Sequence, residues 1–117
     1  MREWIQEEHR EHKMYAGADG EAIPEEFREA RNKGLYYLQF SGKTENEMRK
    51  KLAEQEFSPA SVEDAILFLK HYRYLDDEDY ARRYVEKNGN KKSIRQMKFD
   101  LRQKGIGDDL VEMVFED

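Results

Sequence analysis

The sequence predicts an all-α protein built from tandem three-helix repeats: two repeats, about six helices, in an elongated helical array of right-handed type. Three observations predict it. Displacing the chain against itself by 49 positions brings Lys43-Thr44 onto Lys92-Ser93, Met48 onto Met97, Leu52 onto Leu101, Phe57 onto Ile106 and Val62-Glu63 onto Val111-Glu112. Both blocks open on a helix-start pattern, Thr44-Glu-Asn-Glu47 and Ser93-Ile-Arg-Gln96. In such a box the hydroxyl accepts from a free N–H of the first turn and the fourth residue reaches back. Charged residues make up 40% of the chain against 38% apolar, a thin core that suits small helices with wide solvated faces.

Residues 1–22 read as a weakly structured arm. Trp4, Ile5, Met14 and Tyr15 form no helical stripe there, a marginal helix spans Arg2 to Lys13, and Tyr15-Ala-Gly-Ala-Asp-Gly20 is a loop. The first repeat occupies 23–75. Pro24 with Glu25-Glu26 starts a helix that runs to about Phe40 and buries Phe27, Ala30, Leu35 and Leu38. Gly34 in its interior marks a close helix contact, and Ser41-Gly42 ends it. The Thr44 box opens a second helix carrying Met48 and Leu52. Ser58-Pro59 opens a third, whose buried stripe is Val62, Ala65, Ile66 and Leu69.

The second repeat occupies 76–117. Asp76 or Asp77 caps its first helix, with Tyr80, Ala81, Tyr84 and Val85 inside and Asn88-Gly89-Asn90 as the break. The Ser93 box opens a helix burying Met97 and Leu101, and Lys104-Gly105-Ile106 is its exit. A last helix starts near Asp108 and buries Leu110, Val111, Val114 and Phe115. Gly34 and Leu38 match Ala81 and Val85 at a spacing of 47, so two extra residues are expected in the loop around Asn88 to Lys91.

Charge is uneven. The net charge is −5, with −7 in residues 1–79 and +2 in 80–117. Tyr80 to Gly107 holds nine cations and only Glu86 and Asp100 as anions, a local +7 that admits a polyanionic or acidic partner. The candidate binding residues are Arg82, Arg83, Lys87, Lys91, Lys92, Arg95, Lys98, Arg102 and Lys104. Arg95, Lys98 and Arg102 share one side of their helix. The competing reading is a solvated helix face.

These residues resemble the RecX family of bacterial recombination regulators. In the first repeat the resemblance lies in Leu35-Tyr-Tyr-Leu38, in Thr44, Glu47, Met48 and Leu52, and in Phe57. In the second it lies in Tyr74-Leu75-Asp76-Asp77, Tyr80-Ala81, Tyr84-Val85, Lys92-Ser93, Gln96-Met97, Leu101 and Lys104-Gly105-Ile106. The resemblance implies a non-enzymatic cytoplasmic regulator that binds RecA or the RecA–DNA filament and restrains its ATPase, recombinase and co-protease activity in DNA repair and the SOS response. Family members usually carry a third repeat, which here is absent or truncated.

Two other classes stay open: a small helical module that binds DNA directly, and an adaptor with an apolar groove between repeats. Without cysteine, disulfides and thiolate metal sites are excluded. No apolar run suits a membrane span or a signal peptide, so the expected address is the cytoplasm. His9 and His12 lack zinc spacing, and Asp76-Asp77-Glu78-Asp79 lacks the alternation and glycine of a calcium loop. No catalytic constellation or phosphate loop is present, so no catalysis, cofactor or metal is expected. Tyr72, Tyr74, Tyr80 and Tyr84 read as core packing rather than base stacking.

Overall fold

The computed structural model describes residues 23–116. The expected arm over 1–22, with its histidines, lies outside the described residues. Six helices follow one another: α1 Glu25–Leu38, α2 Glu45–Ala53, α3 Pro59–His71, α4 Asp77–Asn88, α5 Ile94–Gln103 and α6 Asp108–Val114. No strand occurs among the described residues. The molecule measures 48 × 26 × 25 Å, an elongated pair of three-helix units.

Four of the six helices start where a side chain supplies an acceptor for a free N–H of the first turn; α1 and α6, entered through Pro24 and Gly107, have no such cap. Thr44 accepts from the Glu47 N–H while the Glu47 carboxylate accepts from the Thr44 N–H, a complete capping box. Ser58 caps α3 with Pro59 at the first helical position, and Asp76 caps α4 by accepting from the Asp79 N–H. Ser93 caps α5 through the Gln96 N–H, but here the expected box is only half made. The Gln96 amide donates instead to Asp100, 2.8 Å away and one turn along. A neighbour at i+4 is within easy reach of the side chain.

Two boundaries differ from expectation. Helix α1 stops at Leu38 rather than Phe40, because the Gln39 and Phe40 N–H groups bond to Tyr36 and Tyr37 carbonyls in tightened turns. In the second repeat the extra residues lengthen α4 to Asn88, one turn past Val85, instead of entering the loop. Glu86 and Lys87 are good helix formers, and the Asn88 amide donates to the Tyr84 carbonyl to close that turn.

The first core is larger. Ala30, Leu35, Met48, Leu52, Val62, Ala65, Ile66, Phe68, Leu69 and Leu75 are buried together, with Phe57, Tyr72 and Tyr74 at the margin. Phe27 and Leu38, expected inside, are half-buried. Gly34 lies where α1 crosses this core: a Cβ there would stand 2.7 Å from the buried Leu69 side chain. A buried bidentate ion pair ties α1 to α3. Arg31 Nε and Nη2 donate to the two Asp64 oxygens at 2.7 and 2.8 Å, and the guanidinium lies 4.8 Å over the Phe68 ring. At the start of α1, Glu26 accepts from the Ser61 hydroxyl, the Ser58 hydroxyl and the Ser58 N–H, which together hold its carboxyl below the usual range.

The second core has only Ala81, Leu101, Ile106, Val111 and Val114, ringed by Tyr80, Tyr84, Val85, Leu110, Met113 and Phe115. Leu110 and Phe115, expected inside, are half-buried. Both α2 and α5 leave through a residue in the left-handed region. In α5 it is Gly105, φ +88°; at the matching place after α2 it is Glu56, φ 66°.

The units join at the start of α2. The Thr44 hydroxyl donates to the Lys104 carbonyl at 2.7 Å, and the Glu45 N–H donates to Asp77 at 2.9 Å. Gly105 packs so closely on Asn46 that a Cβ would sit 2.3 Å from it.

Two expectations follow from this packing. Asp64→Ala removes the carboxylate facing an almost fully buried guanidinium. It is expected to cost about 3–5 kcal/mol in urea unfolding; a loss well under 1 kcal/mol would show the pair to be dispensable. Glu56→Gly relieves the left-handed backbone of a side chain and is expected to raise stability by about 1 kcal/mol. An unchanged or lower unfolding midpoint would contradict this.

Candidate functional site

The expected basic face centres on α5, whose inner side is set by Met97 and Leu101. Residues 95, 98, 99 and 102 fall on the opposite side of a 3.6-residue helix. The nine cations do not form one free patch. Arg82 pairs with Glu78 at 3.0 Å and Arg83 with Asp79 at 2.8 Å, each one turn along α4. Lys98 and Arg102 share Glu112 of α6 at 2.8 and 2.7 Å, and Arg102 also reaches Asp108. These bonds, Lys98 first, hold the Glu112 carboxyl below the usual range. Lys104 turns to Glu47 across the repeat junction, 3.6 Å away.

Lys92 belongs to a tighter set. Its ammonium donates to the Tyr84 hydroxyl and to Asp100, both at 2.9 Å, while the Tyr84 hydroxyl donates to the same Asp100 oxygen. Tyr84 and then Lys92 hold Asp100 down to about 2. This set pins α4 to α5.

Lys87, Lys91 and Arg95 remain exposed and, among the described residues, have no ion-pair partner. The local +7 of the sequence is thus largely answered by carboxylates that lie outside the window that carries it. Sequence reasoning missed two exposed apolar side chains on the same helix as Arg95. Ile94 and Phe99, both on α5, are each 56% exposed. Phe99 follows Arg95 by four residues and precedes Arg102 by three, so all three neighbour one another on the helix surface. For Phe99 the signal was present, since it falls off the Met97–Leu101 stripe; Ile94 falls on that stripe, three residues before Met97, and is left exposed at the first position of the helix. An exposed aromatic between arginines is the composition of a binding hot spot, with cation–π attraction available to either partner.

The remaining features serve the fold. Tyr72, Tyr74, Tyr80 and Tyr84 are half-buried against the two cores, and His71 is exposed with its ring against Tyr72. Asp76 caps, Asp77 accepts the Glu45 N–H, and Glu78 and Asp79 pair along α4. A cavity of about 420 Å³ opens at the repeat junction, lined by Glu45, Lys70, Leu75, Asp77 and Leu110 among others. Within it Lys70 pairs with Glu45 at 3.3 Å and Asp77 accepts the Glu45 N–H.

Comparison with known proteins gives a consistent result. Residues 30–69 match the first three-helix domain of RecX and residues 76–114 match the second. A regulatory protein RecX of Clostridium acetobutylicum is 36% identical over 83 residues, covering 71% of this chain and 39% of the relative. One from Clostridium perfringens is 37% identical over 98 residues, covering 80% and 46%. The chain therefore spans less than half the length of these curated relatives. Among solved structures, a regulatory protein RecX superposes with a TM-score of 0.71 at 31% identity, covering 76% of this chain and 45% of the other. RecX from Lactobacillus salivarius gives 0.73 at 26% identity, covering 76% and 59%.

The pairing around Asp100 sets an acid response. Its carboxyl is depressed from 3.8 to about 2, so its stabilising effect is complete above the ordinary value and disappears as pH falls through that interval. Asp100→Asn is expected to be less stable than the parent near neutral pH, with the gap in urea unfolding closing across that window. A gap independent of pH would mean that charge is not what Asp100 contributes.

Proposed function

The chain belongs to the RecX family, and on that premise we propose that it is a non-enzymatic regulator that binds RecA or the RecA–DNA filament. Bound there, it restrains ATP hydrolysis, strand exchange and co-protease activity, acting in the cytoplasm in DNA repair and the SOS response. The observation that carries this reading is the outer face of α5, where Phe99 is exposed between Arg95 and Arg102, with Ile94 exposed at the start of the same helix. Such a face offers a desolvated anchor and a charge to a protein surface. Arg82, Arg83, Lys92, Lys98, Arg102 and Lys104 support it by setting the field and holding the helices. A cation already paired inside the molecule gains less from a new anion than a free one.

The three unpaired cations Lys87, Lys91 and Arg95 favour a second reading, direct contact with nucleic-acid phosphates by the same face. Phosphate contacts would position the chain without reading sequence. That reading expects duplex binding without RecA and a steep loss with added salt. The net charge of −5 weighs against it as the main source of affinity.

The test is the rate of single-strand-dependent ATP hydrolysis by RecA, titrated with the chain at fixed salt. Inhibition is expected, and the Arg95→Glu, Phe99→Ala double variant should need about tenfold more protein at unchanged helix content. Equal inhibition by that variant would remove the site from α5. No inhibition by the folded parent chain would overturn the regulatory reading for these two repeats.

A further inference from the structure

The two repeats differ most sharply at one matched place. Tyr37 of α1 and Tyr84 of α4 are equivalent at the 47-residue spacing that relates those helices, and Lys51 of α2 is equivalent to Asp100 of α5 at the 49-residue spacing. In the second repeat the Tyr84 hydroxyl and the Lys92 ammonium both hold the Asp100 carboxylate. The Lys92 nitrogen lies 5.4 Å from the Tyr84 ring centre. In the first repeat a lysine replaces that aspartate. The Lys51 nitrogen lies 5.4 Å from the Tyr37 ring centre, and Lys33 comes within 5.5 Å of the same ring.

The corner therefore holds two ammonium groups and a phenol; Glu54 lies near enough to act on Tyr37, but among the described residues it bonds to neither lysine nor to the hydroxyl. Among the described residues, neither lysine has an ion-pair partner and the Tyr37 hydroxyl makes no hydrogen bond. Burial, then the nearby Glu54, pushes the Tyr37 hydroxyl above its ordinary value, so it keeps its proton and donates at neutral pH. Lys43, which matches Lys92, is engaged elsewhere, donating to the Ser41 hydroxyl at 3.1 Å. Beside the corner an apolar shoulder stands in solvent. Tyr36 and Phe40 pack edge to face at 5.0 Å and are 39% and 67% exposed.

We propose that this corner is a docking site for an acidic polypeptide segment, with a partner carboxylate taking the place that Asp100 fills in the second repeat and an adjoining apolar side chain resting on Phe40. Tyr37 and the two lysines supply charge-assisted donors of the kind the second repeat already uses on a carboxylate. A nucleic-acid strand fits less well. Residues 1–79 carry −7, which opposes a strand charged at every nucleotide more than a segment whose carboxylates alternate with apolar side chains. The edge-to-face ring pair also offers no flat platform for successive bases. The site is separate from the α5 face and does not rest on RecA being the partner there.

The test uses fluorescence anisotropy with the full chain and a labelled peptide of repeating leucine–aspartate pairs. Lys51→Asp builds the internal carboxylate of the second repeat into the first. It is expected to weaken peptide binding by about tenfold or more, the size of a charge-assisted hydrogen bond, without lowering the melting temperature. Tyr37→Phe keeps the ring, removes the donor, and should also weaken binding. Lys50→Asp makes the same change of net charge one residue away and should bind within about twofold of the parent. The proposal fails if the parent does not bind the peptide, if Lys51→Asp binds as the parent does, or if Lys50→Asp loses as much as Lys51→Asp. It also fails if an oligothymidylate binds more tightly than the peptide and displaces it, which would make the occupant a nucleic acid.

Discussion

The arrangement of the whole molecule depends on the hydroxyl of Thr44. It is fully buried and works twice, accepting from the Glu47 N–H to start α2 and donating to the Lys104 carbonyl sixty residues away. One small group thus ends one helix problem and begins another, because the carbonyls at the exit of α5 need a donor as much as the first turn of α2 needs an acceptor. Gly105 supplies the close approach that lets the two backbones meet, and the Glu45 N–H on Asp77 adds a second point of attachment. Ser93, the matching residue of the second repeat, is exposed and only caps. The same hydroxyl chemistry is structural glue in one repeat and a local helix stop in the other.

The repeats share their apolar frame and differ in polar chemistry. Met48 and Met97, Leu52 and Leu101, and Val62 and Val111 are buried in matching places. The second core is nonetheless the smaller, and its helices are held by charged pins: Tyr84 and Lys92 on Asp100, Lys98 and Arg102 on Glu112. A small core gains from such links because less apolar area is available to fix helix positions. The cost is borne by the basic surface, most of whose cations are committed to the fold. What is left for a partner is narrower, Arg95 and Phe99 on the outer side of α5 with Lys91 and Ile94 at its start, and exposed apolar groups matter there as much as charge.

Reading charge along the chain overstated the patch for a physical reason. The window from Tyr80 to Gly107 excludes Glu47, Glu78, Asp79, Asp108 and Glu112, the carboxylates that Arg82, Arg83, Lys98, Arg102 and Lys104 meet; Lys92 finds its partner, Asp100, inside the window. Glu78 and Asp79 were within reach of a reading at i+4 spacing. Glu47 and Glu112 were not, because nothing local says which helix ends face α5. The Arg31–Asp64 pair escaped notice in the same way: two ordinary charged residues in a charged sequence become a buried bridge only when α1 lies on α3.

What the sequence by itself determined was the period and the punctuation. The 49-residue repeat, the buried stripes, the caps at Thr44 and Ser58, a cap at Asp76 or Asp77 and the glycine exit at Gly105 are all written within a few residues of where they act. Helix formation and capping are governed by neighbours along the chain. The family resemblance rides on those same positions. Tertiary structure alone decided which side chains are spent on packing and which are left over. The bridging role of Thr44, the exposure of Ile94 and Phe99 and the lysines around Tyr37 that meet no carboxylate all depend on how segments distant in sequence pack against one another. Hydrogen bonds and ion pairs act over a few ångströms, and only the packed helices set such distances.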